Sequence, residues 1–272
     1  MVRSDSHLRT QRSFTRHTAK WPLYRWFIPK LDACLAAGQW SRDYFLHYGA
    51  SADRVFIVPH VVDTDYFRWE GKKLKPQRLS LRANWGVDSD SIVFLFAGKF
   101  TEIKRPLDFV RAVGYAARNG TPIKGLMVGD GPLRAACEQF ARANDFPICF
   151  ADFLNQSQIA KAYVAADVLV LPSSAETWGV VVNEAMACGL PCIVSDRVGC
   201  GPDMIVCGQT GHIFPMGDVA SLAGLMHSIE ANRELLALMS QQATSKAANY
   251  SLSVGVESVV GAMAVATSTR TA

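Results

Sequence analysis

The chain has 272 residues, 49% of them hydrophobic and 19% charged, with a net charge of +4. At roughly 150 residues per domain this lies between one and two domains with material for a sizeable core, and it excludes a disordered, collagen-like or coiled-coil protein. The charge is uneven: residues 1–30 carry Arg3, Arg9, Arg12, Arg16, Lys20, Arg25 and Lys30 against Asp5 alone, a balance of +6, so the rest sums to −2 and the body is not a nucleic-acid-binding domain.

In chain order, residues 1–20 are rich in Arg and Ser and poor in acids, like a transit peptide. Trp21, Tyr24, Trp26 and Phe27 then mix with Lys20, Arg25 and Lys30, a combination suited to a membrane interface. The alternative is an amphipathic helix of a globular domain behind a frayed tail, favoured because an αβ pattern follows at once. A helix is predicted over 21–30, a buried strand over 32–37, a helix over 39–48 and a strand over 54–58, stopped by Pro59. Residues 68–90 are polar and mixed, and predict a linker with a short helix near 79–85. From Ile92 a clear alternation begins: strands over 92–97, 125–128, 148–150, 168–171, 191–195 and 212–214, with helices over 106–118, 133–143, 156–166 and 179–188 between them. Two or three helices from Val219 close the chain. Strand-helix alternation with short connections predicts an α/β protein with a doubly wound parallel sheet. No apolar run reaches the roughly 18 residues of a membrane span. The seven cysteines are odd in number; Cys188 and Cys192 lack a second pair at zinc-ligand spacing and read as buried apolar residues in a reducing compartment.

Ligands of such sheets bind beyond the carboxyl ends of the strands, so the loops after strands carry the chemistry. Gly98-Lys99-Phe100-Thr101-Glu102-Ile103-Lys104-Arg105-Pro106 places cations before a helix start, where free N–H groups also favour anions; a phosphate clamp and an ordinary solvated loop are both open. Gly129-Asp130-Gly131-Pro132 is a tight turn or a ligand contact, and it lacks the third glycine of the dinucleotide fingerprint. The strongest stretch runs from Pro172 to Pro191. Glu176 precedes a helix start near Gly179 and Val180, and Glu184 lies in that otherwise apolar helix, where a carboxylate is costly without a partner. A carboxylate suits a diol and the helix N–H groups suit a phosphate. Ser195 to Asp203 reads as a flexible turn able to cover the site.

Together these residues resemble the retaining glycosyltransferases of the GT-B fold, in the large family four. The E-x7-E pair is Glu176 and Glu184, with Trp178-Gly179 between them and Ala187 to Pro191 behind. Gly98, Lys99 and Lys104 match the family's phosphate clamp, and Gly129 to Pro132 its G-x-G-P turn. Pro59 to Phe67 resembles the hinge entry, Gly199 to Asp203 the G-G-x-x-E loop, and Gly208 to Asp218 the following segment. The match covers about 32–218. The resemblance implies that Lys99 and Lys104, beside Gly98, hold the diphosphate of a nucleotide sugar and that Glu184 binds the ribose hydroxyls. Glu176 would sit by the donor sugar, with Lys99 and Lys104 the other residues implied in catalysis. The backbone of Trp178, Gly179, Val180 and Val181 would contact sugar or phosphate, and that near Leu154 would edge the base. No metal or cofactor is implied: lysines and a helix dipole would neutralise the leaving diphosphate.

This sequence departs from the pattern at Lys99, where arginine is commoner, at Asp63 after His60-Val61-Val62, and at Asp203 in place of glutamate. The opening of the acceptor domain, with its glycine-rich loop and histidine, is missing, and His7, His17 and His60 receive no catalytic role. The expected organisation is a partial acceptor-side domain over 1–62, a donor-binding domain over 63–250, and a helix over 251–272 returning toward the N-terminal side. The expected partners are a nucleotide sugar and an unknown acceptor, a glycan or lipid-linked glycan, with no nucleic acid. A cytoplasmic location with peripheral contact at the inner membrane face is expected, and a partner chain supplying an acceptor domain is an option. The alternative function is a truncated or split-enzyme module that binds nucleotide sugar without turnover. A NAD-type enzyme is disfavoured by the missing third glycine.

Overall fold

The computed structural model describes residues 1–9 and 14–268, and within these two parallel sheets are formed. The smaller sheet holds β1 (Val2–Ser4), β2 (Cys34–Ala36) and β3 (Val55–Ile57) in that order. Strand β1 corrects the expectation of a frayed tail. Val2 pairs with Cys34 and Ser4 with Ala36, so the start of the Arg- and Ser-rich segment is built into the sheet. Three residues are too few for a period-2 pattern to show. The helix expected over 21–30 starts earlier, at Phe14–Phe27, and ends in a 3-10 turn at Ile28–Lys30. With the helix Gln39–His47 it covers one face of the sheet, where Ile28, Tyr44, Phe45 and Tyr48 bury Cys34, Ala36 and Val55. On the other face Leu35 and Val58 meet Val259 and Ala262 of the last helix, Leu252–Ser268.

The stretch expected as a linker is helical. Thr64–Leu74 is a helix because Asp63 caps it, its carboxylate accepting from the Tyr66 N–H at 2.9 Å, and because Phe67, Gly71 and Leu74 recur on one buried face. Arg78–Asn84 follows as a second helix, anchored by Arg82, which is 4% exposed. Asp167 accepts from Arg78 and Arg82 at 2.6 Å each and from the Val93 N–H at 2.8 Å, so the buried Arg82 and the half-buried Arg78 are both paired.

The larger sheet comprises β4 (Ile92–Ala97), β5 (Ile123–Val128), β6 (Ile148–Ala151), β7 (Val168–Leu171), β8 (Cys192–Ser195) and β9 (Gly211–Phe214). All pairings are parallel, in the order β6-β5-β4-β7-β8-β9. This is the doubly wound order, with its topological switch between β4 and β7. Every side chain of β4 and β7 is buried, as continuous apolar runs require when helices cover both faces. Phe94, Phe96, Phe109, Leu222 and Met226 form one core layer; Val93, Leu95, Leu169, Met186 and Ala243 belong to the other. Residues 233–267 have the length and hydropathy of a membrane-crossing segment, but they form two helices, Arg233–Ala248 and Leu252–Ser268, which bury Met239, Ala243, Ala247 and Ala262 against the protein.

The carboxyl ends of the two sheets face each other. Asp203, in the short helix Gly201–Met204, accepts from the Gln39 N–H with both carboxylate oxygens, at 3.1 and 3.2 Å. It thereby caps the helix of the smaller sheet whose own cap position is Gly38. Burial pushes the Asp203 carboxyl up to about 6.

Candidate functional site

A cavity of about 890 Å³ opens at the carboxyl ends of β4, β5 and β6, beside the switch point. The structure brings Gly98, Lys99, Leu154, Val181 and Glu184 to its wall, with Gly129, Asp130 and Gly131 beside them. The loops after β4 and β5 support each other: the Phe100 N–H donates to the Asp130 carbonyl at 2.9 Å, and the Leu133 N–H to the Phe100 carbonyl at 3.0 Å. Their closeness explains the G-x-G. Gly129 has φ +130°, and a Cβ there would lie 2.1 Å from the Gly98 carbonyl oxygen. The turn therefore has a packing reason as well as a place in the cavity wall.

Lys104 and Glu176 do not line this cavity. They pair with each other on the loops that follow β4 and β7, Nζ donating to Oε2. The loops are tied by the Ser174 N–H donating to the Ile103 carbonyl at 2.7 Å, and Ser173 Oγ donates to the same Glu176 oxygen at 3.3 Å. Lys104 closes a 3-10 turn, Glu102–Lys104; Arg105 follows in the left-handed region at φ 51°, and Pro106 starts the next helix. A non-glycine residue in that region costs free energy and persists only where its surroundings enforce it. Here Arg105 Nε donates to Asp108 Oδ2 at 2.5 Å.

Glu184 lies four residues into the helix Val180–Ala187. Burial pushes its carboxyl up, and a hydrogen bond from Tyr163 OH to Oε2, at 2.6 Å, pulls the other way. Tyr163 and the Asn183 contacts below are features around the cavity that the sequence did not single out. Tyr163 carried a signal, since a tyrosine in an apolar helix needs a partner for its hydroxyl. Phe153 also lines the cavity and is 72% exposed, an aromatic side chain left in water just after a strand.

Gly179 caps the helix in the left-handed region at φ 100°, and Val180 is exposed at its first turn. Trp178 turns inward and is 3% exposed. Its Nε1 donates to Asn183 Oδ1 at 2.9 Å, Asn183 Nδ2 donates to the His60 carbonyl at 3.2 Å, and the indole lies 6.0 Å from both the His60 and Tyr250 rings. The Trp178 side chain thus joins the larger-sheet side to the segment after β3 rather than walling the cavity. On the smaller-sheet side Asp5 and His7 follow β1. His60 Nε2 lies 3.8 Å from Asp5 Oδ2, and burial lowers the His60 pKa. The side chain of His17 and all of residues 10–13 lie outside the described residues. Cys188 Sγ faces the Phe67 carbonyl and Cys192 is buried; among the described residues no group of three or more His, Cys, Asp or Glu gathers as a metal site.

Two parallel sheets with facing carboxyl ends, and a cavity at the switch point of the larger, define a chain of the GT-B class. The model of the Glycosyl transferases group 1 family matches residues 77–246, and the chain belongs to that family. It is 37% identical over 250 residues to a sulfoquinovosyl transferase of Arabidopsis thaliana, covering 81% of this chain and 46% of that protein. It is 31% identical over 238 residues to the D-inositol 3-phosphate glycosyltransferase of Geodermatophilus obscurus, covering 83% and 50%. The chain therefore spans about half the length of the curated relatives it matches. Among solved structures, HepE of Anabaena in complex with UDP superposes with a TM-score of 0.75 at 18% identity, covering 95% of this chain and 70% of that one. A glycosyltransferase from Rickettsia africae gives 0.77 at 18%, covering 91% and 67%. These likenesses are of fold.

Proposed function

We propose that the chain is the donor-binding part of a retaining glycosyltransferase that moves a sugar from a nucleotide-diphosphate donor to a glycan or lipid-linked acceptor. The observation that carries this is the convergence of Gly98, Lys99 and Glu184 on one cavity at the switch point, with the Lys104–Glu176 pair on the adjoining loops. In this reading Glu184 accepts from the ribose hydroxyls, and the base lies along Phe153 and Leu154. The diphosphate meets Lys99, Lys104 and the N–H groups at Gly179 to Val181. Glu176 lies by the donor sugar. Catalysis is differential: the lysines and helix dipole stabilise negative charge that grows on the leaving diphosphate. Its oxygen takes the acceptor proton on the face the sugar leaves, which gives retention.

Calorimetry with UDP and GDP tests the reading. Wild type binds one of them, and Glu184→Ala binds it more weakly; equal affinity of wild type and variant for both nucleotides refutes it.

Two further parts of the proposal rest on their own observations. Leu23 and Trp26 are 58% and 62% exposed on a helix that also bears Lys20 and Arg25, with Lys30 just beyond it, which supports contact with an anionic membrane face. The seven cysteines are unpaired, which accords with work on the cytoplasmic side.

A further inference from the structure

We propose that Tyr163 is the positioning residue for the donor's ribose: it holds Oε2 of Glu184 so that Oε1 is presented to the diol. The inference rests on the donor-binding reading above and adds a residue and a division of labour to it.

Tyr163 sits on the helix Ile159–Ala165, fully buried, its ring packed edge-on against Phe67 at 6.1 Å. Its hydroxyl reaches the cavity wall and donates to Glu184 Oε2 at 2.6 Å. Among the described residues no side chain or backbone group donates to Glu184 Oε1. One oxygen is thus fixed by the protein, and the other remains for a ligand. A carboxylate in this position faces two threats. Its side chain has free torsions, so an unheld carboxylate would pay ordering entropy on binding. Burial also favours the protonated acid, which offers a donor where a diol needs an acceptor. The Tyr163 hydrogen bond answers both, since it fixes the rotamer and stabilises the anion. The phenol stays protonated throughout, because burial and the adjacent carboxylate push its own pKa well above the usual tyrosine range.

The arrangement predicts a specific loss. In Tyr163→Phe the ring still packs on Phe67, but Glu184 loses the donor that holds its Oε2. Affinity for UDP falls about tenfold at pH 7, the scale of a hydrogen bond to a charged group. Affinity for 2′,3′-dideoxy-UDP, which has no ribose hydroxyls to present, changes by less than twofold. The pH at which UDP affinity fades as Glu184 protonates moves upward in the variant. In a Glu184→Gln background the Tyr163→Phe change adds no further loss.

The experiment is calorimetry of wild type, Tyr163→Phe, Glu184→Gln and the double variant across pH 5–8. UDP and its dideoxy analogue are the probes, or the guanosine pair if wild type prefers GDP. An equal loss for the hydroxylated and dideoxy nucleotides, an unmoved pH midpoint, or additive losses in the double variant would overturn the positioning role. Wild type binding neither UDP nor GDP would instead remove the donor reading on which it stands.

Discussion

Replacing Lys104 by Met tests the phosphate side of the site. Lys104 is already committed: its Nζ donates to Glu176 Oε2, on side chains 25% and 19% exposed. A diphosphate must therefore offer more than Glu176 does. At about 4 Å and an effective dielectric near 20, a unit charge pair amounts to about 4 kcal/mol. Glu176 supplies one negative charge and a diphosphate at least two, so sharing the lysine gains about one further unit, or about 4 kcal/mol before the phosphate is dehydrated. Measured net of solvation, hydrogen bonds to charged groups come to about 1.5–3 kcal/mol, which is about 10- to 150-fold in Kd. Lys104→Met should weaken UDP binding by that factor. It should leave uridine binding unchanged, because the nucleoside carries no phosphate.

The variant also uncovers Glu176, whose charge then opposes the diphosphate, so Lys104→Met with Glu176→Gln should recover part of the loss. Calorimetry of UDP and uridine at two salt concentrations is the assay, since a charge contact gives a loss that shrinks as salt rises. Equal losses for UDP and uridine would show that the variant had damaged the loop, and an unchanged UDP affinity would show that Lys104 does not meet the phosphates. The unchanged affinity refutes the clamp.

Asp167→Ala strands Arg82 and Arg78 without their carboxylate, and breaking a buried pair on one side costs about 3–5 kcal/mol; denaturant midpoints should fall accordingly, with UDP affinity unaltered in the folded protein. For Asp203 the sign follows from its direction: a carboxyl raised from 3.8 to about 6 in the folded state holds its proton more tightly there than in the unfolded chain. Its contribution is therefore fully present below pH 4 and lost as pH rises through 6. The loss is at most about 3 kcal/mol at 1.36 kcal/mol per pK unit, and partial access of water reduces it. Asp203→Asn keeps an oxygen for the Gln39 N–H, so its stability relative to wild type should climb between pH 4.5 and 8; a pH-independent difference in urea titrations would contradict this. Leu23→Ser with Trp26→Ser should lower co-sedimentation with phosphatidylglycerol vesicles severalfold and leave UDP binding intact, and unchanged sedimentation would remove the membrane contact.

The larger sheet was legible because its strands are continuous apolar runs punctuated by Gly and Pro, a local pattern that burial on both faces imposes. The smaller sheet was only partly so. β1 is three residues inside a cationic segment, and composition speaks there more loudly than periodicity. The helix Thr64–Leu74 was hidden by its surface lysines, although Asp63 at the cap and the spacing of Phe67, Gly71 and Leu74 carry it. In the site, residue types with costly or constrained chemistry stood out: a glutamate in an apolar helix and a glycine before cations. What could not be read is the direction in which a side chain points once the second sheet and its helices are present. Trp178 stands between Glu176 and Glu184 in sequence, yet it packs on Gly38, His60 and Tyr250, because a large indole needs burial and these distant segments supply it. The Tyr163–Glu184 pair shows the same limit at shorter range. The partners are 21 residues apart on different helices, and only the packing of those helices beside β4 and β8 makes a buried phenol the neighbour of a buried carboxylate. The candidate site residues announce themselves by their cost, whereas their neighbours are chosen by geometry the chain acquires only on folding.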